Sequence, residues 1–307
     1  MRALVLGGAG MLGHRLWHEL NTRMDAFAAV RRPQPEYASL GWFDSRRVID
    51  NVDATSDDDL GRVFSVARPD VVVNAVGIVK QRREADDPAT AIVVNALLPH
   101  RLAERCREVG ARLIHLSTDC VFAGTRGAYA EADVPDAGDL YGRTKLLGEV
   151  DREGCLTLRT SMIGREIQSS RALIEWFLSR RGQHVPGYSR VRFSGLTTLE
   201  LSRVIADIIE RHRELSGVWH VAGEPISKLD LLTMVNDAFG LGSTIVPNAS
   251  FVCDRTLDAS RFTNATGYRP PSWATMVAEL AADPTPYEAW GNQWISNARD
   301  RSTASIS

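Results

Sequence analysis

Short apolar runs alternate with stretches of helical periodicity over the first half of the chain, a pattern typical of a parallel sheet covered by helices on both faces. We interpret the apolar runs as strands at Arg2–Leu6, Ala26–Val30, Asp70–Ala75, Leu113–Ser117 and Leu156–Thr160. Helices are predicted between them at Met11–Arg23, Asp57–Ala67, Pro88–Gly110 and Leu140–Glu153. Pro99 should kink or divide the third of these helices, because proline lacks the amide hydrogen that a helix interior needs.

The alternation loosens after residue 160, where amphipathic helices are predicted at Arg171–Arg180, Leu199–Arg213 and Lys228–Phe239, with a strand at Val218–Val221. The chain therefore predicts a doubly wound parallel α/β sheet with a smaller mixed α/β region for substrate binding. We expect residues 1–160, completed by 196–222, to form the sheet domain. Residues 161–195 and 223–283 would form the substrate-binding region, and residues 284–307 a mobile C-terminal tail.

The composition excludes several classes of protein. A net charge of −2, from 36 basic and 38 acidic residues, gives no surplus for nucleic acid or an anionic membrane. No apolar run reaches the length of about 18 residues that a membrane span needs, and the N-terminus does not resemble a signal peptide. The four cysteines contain no CxxC pair, which predicts reduced thiols in a cytoplasmic protein and no metal site.

Gly7, Gly10 and Gly13 follow the first predicted strand directly and open the first predicted helix. This is a variant of the dinucleotide-binding fingerprint, in which glycines permit a tight turn and a bare backbone close to a pyrophosphate. The helix N-terminus adds free N–H groups and a positive dipole. We therefore predict a nicotinamide dinucleotide site that also includes Met11 and Leu12.

The end of the second strand indicates which dinucleotide binds. A carboxylate at this position would bind the ribose 2′-hydroxyl of NAD, whereas an arginine would pair with the 2′-phosphate of NADP. Arg31 and Arg32 occupy it, and the first acid after them is Glu36. NADP(H) is therefore favoured over NAD(H), the alternative being that the two arginines form a solvated turn.

Tyr141 and Lys145 are four residues apart and so share one face of a predicted helix. A neighbouring cation draws the pKa of a tyrosine toward neutrality, where the phenol can transfer protons. Thr118 follows a predicted strand, and its hydroxyl could stabilise charge on a substrate carbonyl oxygen. The alternative role, a cap on the following turn, suits Ser117 or Asp119 better than Thr118.

These motifs, with Asn74–Gly77, Asn95 and Ser117–Phe122 in this order and spacing, resemble the extended short-chain dehydrogenase/reductases, which have a Rossmann fold. Within that superfamily the chain is most similar to the dTDP-4-dehydrorhamnose reductases, whose “STDYVFxG” hallmark corresponds to Ser117–Gly124. Further matches lie at Leu158–Ser161, Leu257–Phe262 and Gly267–Trp273. The resemblance covers residues 1 to 282.

The resemblance implies roles for individual residues. Tyr141 would be the proton donor, Lys145 its activator and Thr118 a donor to the carbonyl oxygen. Asn95 would hold the kinked helix and a relay water, the alternative being a polar helix residue that faces a loop. Asp53 and Ala54 would lie near the adenine. The residues implied to line the nucleotide are Ala75, Val76 and Gly77.

The implied reaction is NADPH-dependent reduction of a nucleotide-linked 4-keto-6-deoxy sugar, with hydride delivered to C4. A diphosphate needs cations, and arginine suits phosphate oxygens because its planar fork can donate two hydrogen bonds. Arg255 is the first choice among the arginines of the second half, which also include Arg159 and Arg190. The full set of predicted substrate residues is Lys80, Thr118, Asp119, Arg165, Arg192 and Arg255.

Departures from the hallmark leave the sugar open. Cys120 replaces a tyrosine, and Met162–Glu166 replaces the expected Trp-Val-Tyr-Gly. Two alternative functions also stay open. One is a nucleotide-sugar epimerase or dehydratase of the same superfamily, and the other is a non-catalytic NADP-binding regulatory subunit similar to that of methionine adenosyltransferase. The oligomeric state is open as well, a homodimer being one option.

Overall fold

The computed structural model describes residues 1–38, 40–78, 87–167 and 172–290. Its strands are β1 (Arg2–Leu6), β2 (Asp25–Ala29), β3 (Val48–Ile49), β4 (Val71–Asn74), β5 (Arg112–Thr118), β6 (Cys155–Thr160), β7 (Met162–Ile163), β8 (His184–Tyr188), β9 (Val191–Phe193), β10 (Leu196–Thr197), β11 (Gly217–His220), β12 (Ile226–Ser227), β13 (Thr244–Asn248) and β14 (Cys253–Asp254). Its α-helices are α1 (Gly13–Asn21), α2 (Gln34–Ala38), α3 (Asp57–Ala67), α4 (Pro88–Ala91), α5 (Leu98–Val109), α6 (Leu140–Leu147), α7 (Leu173–Leu178), α8 (Thr198–Arg211), α9 (Lys228–Ala238), α10 (Ser260–Thr266) and α11 (Trp273–Ala281).

The largest sheet among the described residues has seven strands in the order β3-β2-β1-β4-β5-β6-β11. Every neighbouring pair in it is parallel. The strand order reverses between β1 and β4, and such a switch point opens a crevice at the carboxyl ends of the strands. The predicted doubly wound sheet of the Rossmann type is therefore confirmed. The domain limits drawn from the sequence remain a prediction.

Both faces of the sheet are covered, as the alternation of apolar runs and helices predicts. Along β1, Ala3 and Val5 belong to a core cluster shared with α1 and α8. Leu4 and Leu6 point the other way and pack with residues of α3 and α5. Successive side chains of a strand alternate between faces, so one strand contributes to both cores.

The long helix predicted from Pro88 to Gly110 is divided, as Pro99 required. It consists of α4, a π-helical turn at Ile92–Leu97 and α5, which ends at Gly110 with a positive φ of 71°. Pro99 cannot donate to the carbonyl of Asn95, four residues earlier, and the π turn accommodates that missing hydrogen bond.

The helix predicted from Leu140 to Glu153 is shorter than expected, since α6 ends at Leu147. The next residue is Gly148, where an added Cβ would lie only 2.0 Å from the carbonyl oxygen of Asn95. Only glycine permits this approach of the end of α6 to the π turn. The contact fixes α6 against the divided helix.

The described residues of the second half form three small sheets beside the large one. They are the pairs β7–β10 and β8–β13 and the three-stranded sheet β12-β9-β14. Helices α7 and α9 lie within the predicted ranges, and α8 begins one residue before its predicted range, whereas α10 and α11 were not predicted. Helix α11 has a sequence signal that could have been found, because Ser272 is an N-cap that accepts from the Thr275 amide. In the part of the chain that the structure describes, no helix is long and apolar enough to cross a membrane.

The prediction places the start of the mobile tail, at residue 284, too early in the sequence. Tyr287 and Trp290 are both 3% exposed. The Tyr287 hydroxyl lies 2.8 Å from Nε2 of His14, and the Trp290 indole donates to the Leu40 carbonyl at 3.1 Å. Burial of two large aromatic side chains outweighs the entropy of ordering this segment. Residues 291–307 lie outside the described residues.

A buried ion pair joins the carboxyl ends of β5 and β6. The Arg159 guanidinium donates to both oxygens of Glu149, from Nε at 2.8 Å and from Nη2 at 2.7 Å. The two side chains are 6% and 7% exposed. Glu149 also accepts from the Ser117 hydroxyl at 2.7 Å. Because Ser117 lies on β5 and Arg159 on β6, the pair holds the two strands together near Thr118, the last residue of β5.

We expect Arg159→Met to lower the free energy of unfolding by about 3–5 kcal/mol, because it leaves the Glu149 carboxylate buried without its partner. Arg107→Met is the control, since the Arg107–Glu104 pair is 71% and 47% exposed. Loss of that pair should cost less than about 1 kcal/mol. Urea denaturation followed by tryptophan fluorescence measures both changes. Wild-type stability in Arg159→Met would contradict the role given to the pair.

Candidate active site

The glycine loop lies at the carboxyl end of β1, beside the switch point of the sheet. Gly7 has a φ of 79°, a backbone conformation that favours glycine. The Gly10 amide donates a hydrogen bond of 2.8 Å to the Gly7 carbonyl and so forms a tight turn. An added Cβ at Gly13 would lie 2.1 Å from that same carbonyl oxygen. The loop is therefore a glycine cradle that leaves its backbone bare at the start of α1, and it fits a dinucleotide pyrophosphate.

Other residues of this loop have packing roles. Leu12 is buried and Met11 is half-buried in the turn that leads into α1. Gly8, which the fingerprint does not include, donates to the Ala29 carbonyl at 2.9 Å. A Cβ there would lie 2.7 Å from Cβ of Ala28, so Gly8 lets the loop pass over β2. Its position directly after Gly7 in the sequence could have indicated this role.

The residues predicted to bind the adenosine half are exposed or half-exposed. Arg31 and Arg32 are both exposed where β2 ends, and the Arg32 guanidinium lies 3.2 Å from a Glu36 carboxylate oxygen. The Asp53 carboxylate accepts from the amide and the hydroxyl of Thr55, at 2.9 and 2.7 Å. Ala54 beside it is half-buried. Contact of these residues with a nucleotide remains a prediction.

The carboxyl end of β4 forms the opposite side of the switch point. An added Cβ at Gly7 would lie 3.1 Å from the Ala75 backbone and 3.2 Å from the Val76 side chain, so the two loops touch. The Val76 amide donates to the Asn74 side-chain oxygen at 3.1 Å. Gly77 is exposed next to them. The residues predicted to line the nucleotide thus adjoin the glycine cradle.

Asn95 is buried in the π turn and fastens the loop after β4. Its side-chain oxygen accepts from the Ile78 amide at 2.9 Å, and its amide donates to the Ile78 carbonyl at 3.1 Å. The same amide lies 3.4 Å from the Thr144 hydroxyl. These contacts match the alternative role, a polar helix residue that faces a loop. A relay water at Asn95 remains a prediction.

Thr118 is the last residue of β5 and caps the turn that follows it. Its hydroxyl accepts from the Cys120 amide at 3.2 Å, so the expectation that Ser117 or Asp119 would cap this turn is wrong. The reason is backbone geometry, because Thr118 is extended and precedes the short 3₁₀ turn Asp119–Val121, as an N-cap does. The hydroxyl also lies 3.2 Å from the Asp119 carboxylate.

Tyr141 lies in the first turn of α6, next to Thr118. Burial raises the pKa of its phenol above the ordinary value, and a hydrogen bond with the Thr118 side chain opposes that change. The expectation that Lys145 draws this pKa toward neutrality is therefore wrong, because burial disfavours the charged phenolate more than its surroundings favour it. Gly142 brings the helix this close, since an added Cβ there would lie 2.3 Å from the Cys120 carbonyl oxygen. Asp139 caps the helix by accepting from the Gly142 amide at 2.8 Å.

Lys145 lies one turn further along α6 and is 4% exposed. Its Nζ donates to the Leu116 carbonyl at 2.6 Å and lies 3.4 Å from Nε2 of His115. Burial lowers the pKa of Lys145 to about 8, and the charge of Glu149 opposes this. The lysine thus stands behind β5, at the same end of the sheet as Thr118 and Tyr141.

Positive charge collects on the far side of the Thr118 loop. The Arg255 guanidinium donates to the Phe122 carbonyl at 2.8 Å and to the Ala123 carbonyl at 3.3 Å. Burial raises the pKa of Asp119, and the charges of Arg255 and Lys228 oppose this. Lys228 was not predicted as a site residue. Two features of the sequence could have indicated it. Lys228 is one of only three lysines in the chain, and it directly follows Ser227, the N-cap of α9.

The remaining predicted substrate residues differ in their surroundings. Arg165 is buried and forms ion pairs with Glu175 and Glu288, so its charge is already compensated. Arg192 is half-exposed, 3.7 Å from Asp254. Lys80 lies outside the described residues. In the described ranges, no group of three His, Cys, Asp or Glu side chains is arranged to hold a metal ion.

Comparison with known protein sequences gives a family and two kinds of relative. The sequence model of the family described as “RmlD substrate binding domain” matches residues 1–284. Methionine adenosyltransferase 2 subunit beta of Xenopus tropicalis is 27% identical over 259 residues, 79% of this chain and 73% of that protein. A dTDP-4-dehydrorhamnose reductase of Streptomyces griseus is 35% identical over 149 residues, 48% of this chain and 43% of the reductase.

Solved structures share the fold. The dTDP-4-dehydrorhamnose reductase of Bacillus anthracis, in complex with NADP, has a TM-score of 0.74 at 20% identity and covers 92% of this chain and 99% of its own. The enzyme WbmG of Bordetella bronchiseptica, in complex with NAD and UDP, has a TM-score of 0.73 at 21% identity, with coverages of 95% and 96%.

The family match spans nearly the whole chain, and the residues that carry the predicted resemblance meet at the carboxyl ends of β1, β4 and β5. The resemblance to the dTDP-4-dehydrorhamnose reductases is therefore confirmed, and the chain belongs to the RmlD substrate-binding-domain family.

Proposed function

We propose that this protein is an NADPH-dependent reductase of a nucleoside diphosphate-linked 4-keto-6-deoxy sugar. The observation that carries the proposal is the hydrogen-bonded pair of hydroxyl groups, Thr118 and Tyr141, at the carboxyl end of β5. The buried Lys145 lies one helical turn after Tyr141. The cationic Arg255 and Lys228 act on Asp119, the residue after Thr118. Two hydroxyls, one ammonium and a cationic rim together suit a carbonyl group attached to an anionic carrier.

NADPH supplies the hydride when it is bound. The glycine cradle at Gly7, Gly10 and Gly13 would hold its pyrophosphate, and the backbone at Val76 would lie along the nucleotide. Arg31 and Arg32 support the choice of NADPH over NADH, because their exposed guanidinium groups stand where β2 ends.

The protonation state of Tyr141 supports its role as an acid. With a pKa above its ordinary value, the phenol carries its proton at neutral pH. It can therefore donate that proton to the oxygen of a carbonyl group as the carbon is reduced, while Thr118 donates a second hydrogen bond to the same oxygen. The Lys145 ammonium adds positive charge near the phenolate that remains.

The rim of the site supports an anionic carrier on the substrate. Arg255 uses two donors on backbone carbonyls of the Thr118 loop, which fixes the plane of its guanidinium group. A guanidinium group has five N–H donors, so three remain for phosphate oxygens. Family membership supports the sugar nucleotide as the class of substrate.

A non-catalytic regulatory subunit is the second candidate, and one observation favours it. Relatives described as subunit beta of methionine adenosyltransferase 2 align with 79% of this chain. Such a subunit would bind NADP(H) without consuming it. Turnover by the purified protein alone distinguishes the two functions.

The first prediction concerns turnover. The purified protein should oxidise NADPH with at least one of the dTDP-, UDP- or GDP-linked 4-keto-6-deoxy sugars, measured by NADPH absorbance. Tyr141→Phe should lower kcat by about 100-fold or more without changing the Kd for NADPH, since it removes only the acid. Tyr268→Phe is the control, because that hydroxyl donates to Glu200 outside the site. Consumption of simple ketones but none of these sugars would contradict the proposed substrate.

The second prediction concerns the coenzyme. Arg31→Ala with Arg32→Ala should raise the Kd for NADPH about tenfold or more, because a charge-assisted contact contributes about 1.5–3 kcal/mol. The Kd for NADH should stay unchanged. Arg46→Ala is the control, as its side chain is 86% exposed and paired with Asp44. Nucleotide fluorescence titration measures each Kd, and equal affinity of the wild-type protein for both coenzymes would overturn this assignment.

The third prediction concerns the substrate diphosphate. Arg255→Ala should raise KM for the sugar nucleotide about tenfold or more and leave the Kd for NADPH as in the wild type. Arg152→Ala is the control, since Arg152 is an exposed arginine paired with Glu104. Steady-state kinetics and coenzyme titration give the two quantities. An unchanged KM in Arg255→Ala would exclude Arg255 from the phosphate site.

A further inference from the structure

A buried row of polar groups runs from the loop after β4 to the lysine of the proposed active site. The Val76 amide donates to the Asn74 side-chain oxygen, and the Asn74 side-chain nitrogen lies 3.1 Å from Nδ1 of His115. Nε2 of the same ring lies 3.4 Å from Nζ of Lys145. Asn74 and His115 are 0% exposed and Lys145 is 4% exposed. The row is therefore enclosed by protein.

The direction of each hydrogen bond in the row follows from the first bond, which the Val76 amide donates to Asn74. A backbone N–H can only donate, so Val76 requires the oxygen of the Asn74 amide on its side. The Asn74 nitrogen then faces His115 and donates to Nδ1, which must carry the lone pair. Burial lowers the pKa of His115 well below its usual value, so the ring is neutral and its one proton is on Nε2. An N–H bond thus points at Lys145.

This orientation acts differently on the two forms of Lys145. The ammonium form has three N–H donors and no lone pair, so it cannot accept from His115 and faces the positive end of the N–H dipole. The neutral amine can accept from it. The Leu116 carbonyl lies 2.6 Å from Nζ and accepts a hydrogen bond from the ammonium and from the amine alike. It therefore does not favour either form of Lys145.

We propose that His115 is a positioning residue that makes the Lys145 ammonium easier to deprotonate, and that Asn74 ties this effect to the nucleotide-lining loop at Val76. The inference about the protonation of Lys145 rests on these hydrogen bonds and on the burial of His115, and only its effect on catalysis rests on the proposed function.

Several other titratable groups face this row and are included in the inference. Glu149, after the end of α6, favours the ammonium and is itself paired with Arg159 on β6. His100 on α5 adds to the influences that keep His115 neutral. Tyr141 lies one turn before Lys145 on α6. Since Glu149 acts in the opposite direction, burial and the His115 dipole are the influences that favour the amine.

The test uses the scarcity of lysine. The chain has three lysines, Lys80, Lys145 and Lys228, so protein labelled with ¹³C at lysine Cε gives three titrating side-chain signals. Lys145→Met identifies the relevant signal by its loss. His115→Gln puts an amide where Nε2 stands, and its oxygen can accept from the ammonium. We expect this variant to increase the proton affinity of Lys145 about tenfold.

His220→Gln is the matched control, because His220 is equally buried on β11, two strands away in the same sheet, but contacts Arg159 and the Tyr129 carbonyl. Its Lys145 titration should match the wild type. If the proposed function also holds, the basic limb of the kcat/KM profile moves to higher pH in His115→Gln. A protein without turnover would still give the lysine titration, so failure of the proposed function is distinguishable from failure of this inference.

The wild-type protein provides a second test that needs no folded variant. Histidine ¹⁵N shifts report which ring nitrogen carries the proton, and His115 should carry it on Nε2 at neutral pH. A proton on Nδ1 would overturn the inference. So would an unchanged Lys145 titration in a folded His115→Gln protein.

Discussion

The missing amide hydrogen of Pro99 is the constraint on which the arrangement of the proposed site depends. Because Pro99 cannot donate to the Asn95 carbonyl, the regular α-helix is interrupted by a π turn. The turn exposes the carbonyl to Gly148 and directs the Asn95 amide to the backbone of Ile78. One backbone defect therefore fixes both the end of α6 and the loop after β4.

The proposed site is assembled where backbones approach one another more closely than side chains would allow. Gly13 lies against the Gly7 carbonyl, Gly142 against the Cys120 carbonyl and Gly148 against the Asn95 carbonyl. Each contact joins segments that carry chemistry: the glycine loop to α1, and α6 to the β5 loop and the π turn. The positions of Tyr141 and Lys145 follow from two of these contacts, since both residues lie between Gly142 and Gly148 or beside them.

Features encoded by local pattern could be predicted from the sequence, and those that depend on distant contacts could not. Periodicity and the glycine fingerprint predicted β1, β4 and β5, and the family resemblance implied that Thr118 and Tyr141 act on the same carbonyl group. The early end of α6 depends on a carbonyl some fifty residues away in the chain, which no local signal reveals. The same is true of Arg165. Its charge suggested phosphate binding, but its guanidinium group forms ion pairs with Glu175 and with Glu288, which is distant in the sequence.

The contact between Tyr287 and His14 has a consequence for the order in which the molecule is completed. His14 lies 2.7 Å from the Gly10 carbonyl through Nδ1 and 2.8 Å from the Tyr287 hydroxyl through Nε2. His14 thus connects the Gly10 carbonyl of the glycine loop to a hydroxyl group that lies 273 residues later in the sequence. Contacts of such sequence separation form late, after loop closure has been compensated by other packing. Tyr287 must therefore pack against the sheet before His14 can acquire this hydrogen-bond partner.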